Sequence, residues 1–159
     1  MELISINETT QSNVAEFFIE HWGSTKMVIS SGVYDCSKLS GFVKINHNGE
    51  ITGLITYIIS GDECEIISLD SKEENKGIGS SLVKAVEEMA CKEKCKYISL
   101  ITTNDNLSAL KFYQKRGYFL ASLHRNAVEK AREMKPEIPF VGNDGIPIRD
   151  EIELAKRLS

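Results

Sequence analysis

Between Glu63 and Thr103 a strand-like run, a glycine turn, a strongly periodic helix and a second strand-like run follow one another. Glu63-Cys-Glu-Ile-Ile-Ser-Leu69 is the first run, and Glu74-Asn-Lys-Gly-Ile-Gly-Ser-Ser-Leu82 carries the turn into the helix. Apolar residues then recur at 78, 82, 85, 86 and 89, the spacing of a one-sided helix. Lys92 to Lys96 is a charged turn, and Tyr97-Ile-Ser-Leu-Ile-Thr reads as a buried strand. Strand, helix and strand in this order predict a parallel crossover, which commits the chain to an α/β architecture. A helix that opens on glycines also presents backbone N–H groups with no intrahelical partner, at the positive end of its dipole. That is either a tight turn or a seat for a phosphate-bearing ligand. An ATP-type loop is excluded because no Gly-Lys-Ser/Thr follows a four-residue spacer. A dinucleotide loop is excluded because Leu82 stands where the third glycine belongs.

A second segment, Asn106-Leu-Ser-Ala109-Leu-Lys-Phe112-Tyr113-Gln-Lys115-Arg-Gly117-Tyr118, follows the next apolar run. The ordered pair resembles the GNAT acetyltransferase superfamily, which binds acetyl-CoA. In that family Gln/Arg-x-x-Gly-x-Gly/Ala opens the helix that wraps the CoA pyrophosphate. Gly77 and Gly79 match this pattern, and Glu74 replaces the usual Gln or Arg. The loop's backbone donors survive that change, whereas a basic or amide side-chain contact does not. The second family motif is matched by Asn106, Ala109, Phe112, Tyr113, Lys115, Gly117 and Tyr118. The resemblance covers roughly residues 1–125 in element order.

The resemblance implies one α/β acetyltransferase domain over residues 1–159. The expected fold is a mixed, mostly antiparallel sheet of six to seven strands flanked by helices. At 159 residues and 42% hydrophobic the chain is long enough for one substantial core. Residues 2–6 are a predicted strand. Thr10 is a predicted cap for a helix whose apolar face is Val14, Phe17, Phe18, His21 and Trp22, ended by Gly23. Residues 24–40 show no period. Residues 42–47 and 51–59 flank Asn48-Gly49, a hairpin signal, and Ser60-Gly61-Asp62 is a second turn. A helix over about 107–116 ends at Gly117, and Tyr118 to Leu123 is a further strand. A short helix, Ala127–Met134, and a loop then form an insertion over 126–147 before the last strand. Ile148–Leu158 is predicted as that strand, from alternating Ile152 and Leu154, with a helix as the competing assignment.

Composition narrows the partners. A net charge of −4 argues against a broad basic face for nucleic acid. No run approaches the ~18 apolar residues of a membrane span, and the amino terminus has no leader pattern. Cys36, Cys64, Cys91 and Cys95 are scattered, which suits free thiols and a cytoplasmic protein and gives no metal site. His21, His47 and His124 lie far apart and read as structural or exposed.

Acetyl transfer to an amine needs a polarised thioester, a neutral amine and a proton for the leaving thiolate. The resemblance implies that Ser68 and Leu69, at the end of the fourth strand, hold the pantetheine and supply an oxyanion donor through backbone. It implies that Glu74, Asn75, Lys76, Gly77, Ile78, Gly79 and Ser80 wrap the pyrophosphate. Lys72 and Lys76 would support CoA phosphates, opposed locally by Glu73 and Glu74. Tyr113 matches the family tyrosine that points at the sulfur and is the candidate acid; it also reads as a core residue. Asn106 matches the pantetheine contact, and Asn is equally a favoured N-cap. Ala109 and Phe112 complete that helix face. For the base, Glu63 and Glu65 share a strand face, with Glu65 preferred. They share parity with Leu69 unless a bulge intervenes, and Asp70 is expected on the other side. The acceptor, a primary amine of small-molecule type, would be set by residues 22–40 and the carboxyl-terminal insertion, with Tyr34, Asp35 and Arg149 as unranked contacts. A dimer is common in the family. A non-catalytic acyl-CoA sensor and a purely structural interaction domain are the competing readings.

Overall fold

The computed structural model describes residues 2–7, 10–72 and 77–158. The chain divides into two compact units, Met1–Lys26 with Asp35–Ile98 and Leu158–Ser159, and Met27–Tyr34 with Ser99–Arg157. Among the described residues, seven strands that pair mostly antiparallel, four α-helices and a separate two-stranded hairpin make a mixed α/β fold, as expected.

In the first unit the strands run in the order β1 (Glu2–Ser5), β4 (Ser40–Ile45), β5 (Ile51–Ser60), β6 (Glu63–Ser71). All three neighbouring pairs are antiparallel. The β4–β5 turn is the predicted one. Asn46 Oδ1 accepts from the N–H groups of Asn48 (2.9 Å) and Glu50 (3.0 Å), and Gly49 takes the left-handed conformation at φ +78°. Helix α1 (Gln11–Trp22) buries Val14, Phe17 and Phe18, and the N–H of Gly23, at φ +77°, closes it on the Ile19 carbonyl. Thr10 stands at its N-cap without a side-chain cap bond, because its hydroxyl oxygen accepts from the Asn7 N–H at 3.0 Å. Helix α2 (Ile78–Lys92) buries Ile78, Leu82, Val83, Val86 and Ala90. It approaches β5 at Gly53, where any Cβ would run into the Ile78 side chain.

One register feature changes which residues face together. Tyr57 pairs with Ile66 but Thr56 pairs with Ser68, so Ile67 is an extra residue on β6. Cross-strand partners share a face. Glu63, Glu65, Ser68 and Asp70, opposite Ser60, Ile58, Thr56 and Leu54, therefore lie on one side. Leu69, opposite Ile55, lies on the other with Ile66. The bulge on which the Leu69 parity was conditional is present, and the expected side of Asp70 is corrected. Leu69 does not share the face of the two glutamates, and Asp70 does.

In the second unit the order is β7 (Tyr97–Thr103, which begins in the first), β9 (Glu151–Arg157), β8 (Phe119–His124). β9 is a strand, which removes the helical alternative. It pairs antiparallel with β8 and buries Glu151, Leu154 and Ala155. Between β8 and β9 lies α4 (Ala127–Met134), at the predicted bounds. Arg132 holds the following loop by donating to the carbonyls of Ile138, Pro139 and Ile148 at 3.2, 2.6 and 2.7 Å. Residues 24–40, which show no period, contain β2 (Lys26–Ile29), β3 (Gly32–Asp35) and a 3-10 turn, Cys36–Lys38. Asp35 caps that turn by accepting from the Ser37 N–H at 3.1 Å. Its Ser37 partners hold the carboxyl below its ordinary range, led by the hydroxyl.

Candidate functional site

The candidate residues fall into two groups, one in each unit. In the first unit β6 ends beside the start of α2 in sequence. Glu73, Glu74, Asn75 and Lys76 lie outside the described residues. Gly77 is the N-cap of α2 in the left-handed conformation, φ +73°, and among the described residues nothing lies within 4 Å of the Cβ position it leaves vacant. The Ser81 N–H donates to the Gly77 carbonyl at 3.1 Å and closes the first turn. The N–H groups of Ile78, Gly79 and Ser80 precede that closure at the positive helix end. The Ile78 side chain is core, so its contribution to a ligand is its backbone. Gly79 and Ser80 are half-buried.

At the bulge, the Ser68 and Thr56 hydroxyls hydrogen-bond at 2.6 Å, and both residues are buried. The Ser68 side chain is thus spent inside the sheet, leaving its backbone to a ligand. A bulge interrupts the ladder, which exposes backbone groups for another partner. Leu69 and Glu65 are half-buried.

Two further residues join Glu65 on its side of β6. Trp22 Nε1–H donates to Asp70 Oδ1 at 3.1 Å, and Asp70 Oδ2 is buried without a hydrogen-bond partner among the described residues. Burial pushes the Asp70 carboxyl above its ordinary range, against the lowering effect of the Trp22 hydrogen bond and of His21. The His21 ring stacks on Phe17 at 4.2 Å, and its Nδ1 lies 3.0 Å from the Phe17 carbonyl. Sequence reasoning placed Trp22 on a packing face and Asp70 on the wrong side; only the bulge unites them. The raised Asp70 value carries a stability signature. Below the unfolded value near 3.8 the carboxyl is neutral in both states, and stability is lost as pH rises through the raised folded value. Asp70→Asn keeps an acceptor for Trp22 and has no charge to bury. Its urea midpoint relative to the parent should therefore climb from pH 3.5 upward and then level off. Parallel midpoints across pH 3.5–7.5 would show that the charge carries no such cost.

In the second unit the candidates lie on α3 (Leu107–Lys115). Asn106 is its N-cap, with Oδ1 accepting from the Ala109 N–H at 3.2 Å. The capping role is therefore real, and any pantetheine contact must share that side chain. Ala109 and Phe112 are half-buried, and the Arg116 guanidinium lies 3.6 Å from the Phe112 ring centre. Tyr113 is buried, with edge-on contacts to Phe112 at 5.0 Å and Tyr118 at 5.3 Å. Gly117, at φ +92°, takes the chain out of the helix. Of the unranked acceptor contacts, Tyr34 Oη lies 2.9 Å from Ser31 Oγ within the β2–β3 hairpin. Arg149 pairs with Asp150 at 3.1 Å, and Asp35 is spent on Ser37.

The cysteines are free thiols, and burial pushes Cys64 up to about 12, so it carries no nucleophile at neutral pH. Among the described residues no helix is long and apolar enough to cross a membrane.

Fold, glycine helix start and α3 together define an acyltransferase class. The family model for the acetyltransferase (GNAT) family matches residues 7–118. The chain belongs to this family. It is 56% identical to the uncharacterized protein YxbD of Bacillus subtilis (strain 168), over 99% of each chain. It is 55% identical to the uncharacterized protein YdhI of the same organism, over 98% of each chain. A Bacillus subtilis acetyltransferase, solved in complex with CoA, shares the fold at TM-score 0.70 and 18% identity, covering 99% of each chain.

Proposed function

We propose that this chain is an N-acetyltransferase, one domain over residues 1–159, that moves the acetyl group of acetyl-CoA to a primary amine of a small molecule by direct attack. The observation that carries this reading is the β6 bulge at Ile67, followed by a left-handed Gly77 helix start. The bulge frees backbone groups for an extended ligand, and the helix start supplies donors and positive potential for a pyrophosphate.

The roles follow. Backbone at Ser68 and Leu69 binds the pantetheine arm and polarises the thioester carbonyl. The stretch 74–80 holds the pyrophosphate. Asn106, Ala109 and Phe112 line the arm. The amine nitrogen attacks the carbonyl carbon, the C–S bond breaks and an amide forms. Glu65 accepts the amine proton, directly or through water. Tyr113 gives its hydroxyl proton to the departing sulfur.

A non-catalytic acyl-CoA-binding module is the second reading. It is favoured by Glu74, an acid where the family places Gln or Arg. The two are separated by measuring CoA thiol release from acetyl-CoA across amines, amino acids, polyamines and peptides, beside calorimetric titration with acetyl-CoA. Turnover with at least one amine is expected. Tight binding with no turnover across the panel would favour the sensor. An absence of binding would remove both.

A further inference from the structure

The β2–β3 hairpin and helix α4 line a half-open cavity of about 510 Å³ within the second unit. Ligand pockets for small molecules run from about 300 to 1,000 Å³. Its walls divide chemically. Val28, Ile29 and Met134 give it an apolar side, and His124, Arg125 and Lys130 give it a basic one. No aspartate or glutamate stands among the described residues that line it. Glu153 Oε1 lies 3.6 Å from His124 Nε2, and Arg125 lies within electrostatic reach of the Asp150 carboxylate, so the lining itself carries the charges of Arg125 and Lys130 with these two carboxylates behind it. The chain's other nearby guanidinium groups have internal partners: Arg132 holds three carbonyls and Arg149 holds Asp150.

Both walls are built. Ser30, at the hairpin end, donates its N–H (2.8 Å) and its hydroxyl to Oε1 of Glu151, a β9 carboxylate only 1% exposed. On the other wall the Val128 N–H of α4 donates to the Arg149 carbonyl at 3.0 Å. The Asn126 N–H donates to Asp150 Oδ1 at 2.8 Å. Asn104 Oδ1 accepts from the N–H groups of Arg149 (3.0 Å) and Asp150 (2.9 Å). Asn104 is two residues before Asn106, the cap of the helix that carries Tyr113. The cavity wall is thereby tied through Asp150 to the start of α3.

We infer that this cavity is the acceptor pocket and that it takes an amine bearing a carboxylate on an apolar body, of amino-acid type. The role of the bound amine as acceptor rests on the acetyltransferase reading above. Arg125 offers a fork for a carboxylate and Lys130 a point charge, while the apolar wall takes the body. A polyamine or aminoglycoside, with several positive charges, meets like charge at the same wall and is disfavoured.

The test is calorimetric titration of the CoA-loaded protein with leucine, phenylalanine and tyrosine, each beside its decarboxylated counterpart, and with spermidine. For at least one pair the carboxylate-bearing member should bind at least about tenfold tighter, the size of one good charge-assisted contact. The double substitution Arg125→Glu, Lys130→Glu should abolish that preference. Both positions are exposed, and an unchanged circular dichroism spectrum checks the fold. Binding by none of the amino acids, equal or tighter binding of spermidine or of every decarboxylated partner, or a preference that survives the double substitution would each overturn the inference. Thiol release is followed in parallel samples in which acetyl-CoA replaces CoA. Carboxylate-selective binding with no turnover of any amine would overturn the acetyltransferase reading and leave the pocket's selectivity standing.

Discussion

Gly41→Ala should lower the melting temperature by about 6–12 °C, the largest stability loss expected from any single methyl added to the sheet. Gly41 is buried on β4 opposite Thr56. A Cβ there would run into the backbone carbonyl oxygen of Ile55 and come within 2.9 Å of the Ile6 side chain. A side chain can swing aside, but a carbonyl in a ladder cannot. Relief requires moving β4 off β5, with the loss of paired hydrogen bonds on both sides. Such overpacking costs about 3 kcal/mol, and a domain of this size loses about 2–4 °C per kcal/mol. Thr56 is also the residue whose hydroxyl meets Ser68 at the bulge, so the shift would reach the backbone assigned to the thioester. Gly23→Ala is the control. Gly23 has φ +77° with open space around it, so that substitution carries only the left-handed strain of about 1 kcal/mol. Melting of Gly41→Ala within about 2 °C of the parent would show that β4 and β5 are not held as closely as the register implies.

The elements legible in the sequence are those whose local chemistry agrees with their packing. Asn48-Gly49 gives the β4–β5 turn, a one-sided apolar pattern gives α2, and Lys135-Pro136 stops α4 at Met134. The β2–β3 hairpin was illegible because each strand has four residues and only Val28 is buried in it, too short a run to show a period. The bulge was illegible for a different reason. A single inserted residue, Ile67, looks like any other apolar strand position, yet it reverses the facing of everything after it. Hence Asp70 was assigned to the wrong side and its Trp22 partner was missed. Glu151 was hidden because a carboxylate buried in a strand contradicts the rule used to read strands. Its partner, Ser30, stands 121 positions away in sequence. Around the candidate site, the glycine start of α2 and the helix α3 were legible as elements, and the groups set by tertiary register were not.

Tyr113→Phe should lower kcat about a hundredfold while leaving the dissociation constant for acetyl-CoA within about a factor of three. The substitution removes one oxygen and keeps the ring that packs against Phe112 and Tyr118. Stability should change little, so a fall in turnover reports chemistry rather than folding. Without the phenol the departing thiolate must take its proton from solvent or leave charged. Solvent donation is slow at a position that is 4% exposed. Tyr118→Phe separates chemistry from packing, because Tyr118 shares the same aromatic cluster at 3% exposure and has no assigned proton to give. Its kcat should stay near the parent value. The two variants therefore answer different questions in one assay of thiol release under saturating acetyl-CoA. A Tyr113→Phe enzyme that keeps kcat within threefold would remove Tyr113 as the acid and return it to the core. Equal losses in both variants would place the effect in ring packing. Loss in Tyr113→Phe alone, with affinity for acetyl-CoA retained, ties the phenol to the step in which the C–S bond breaks.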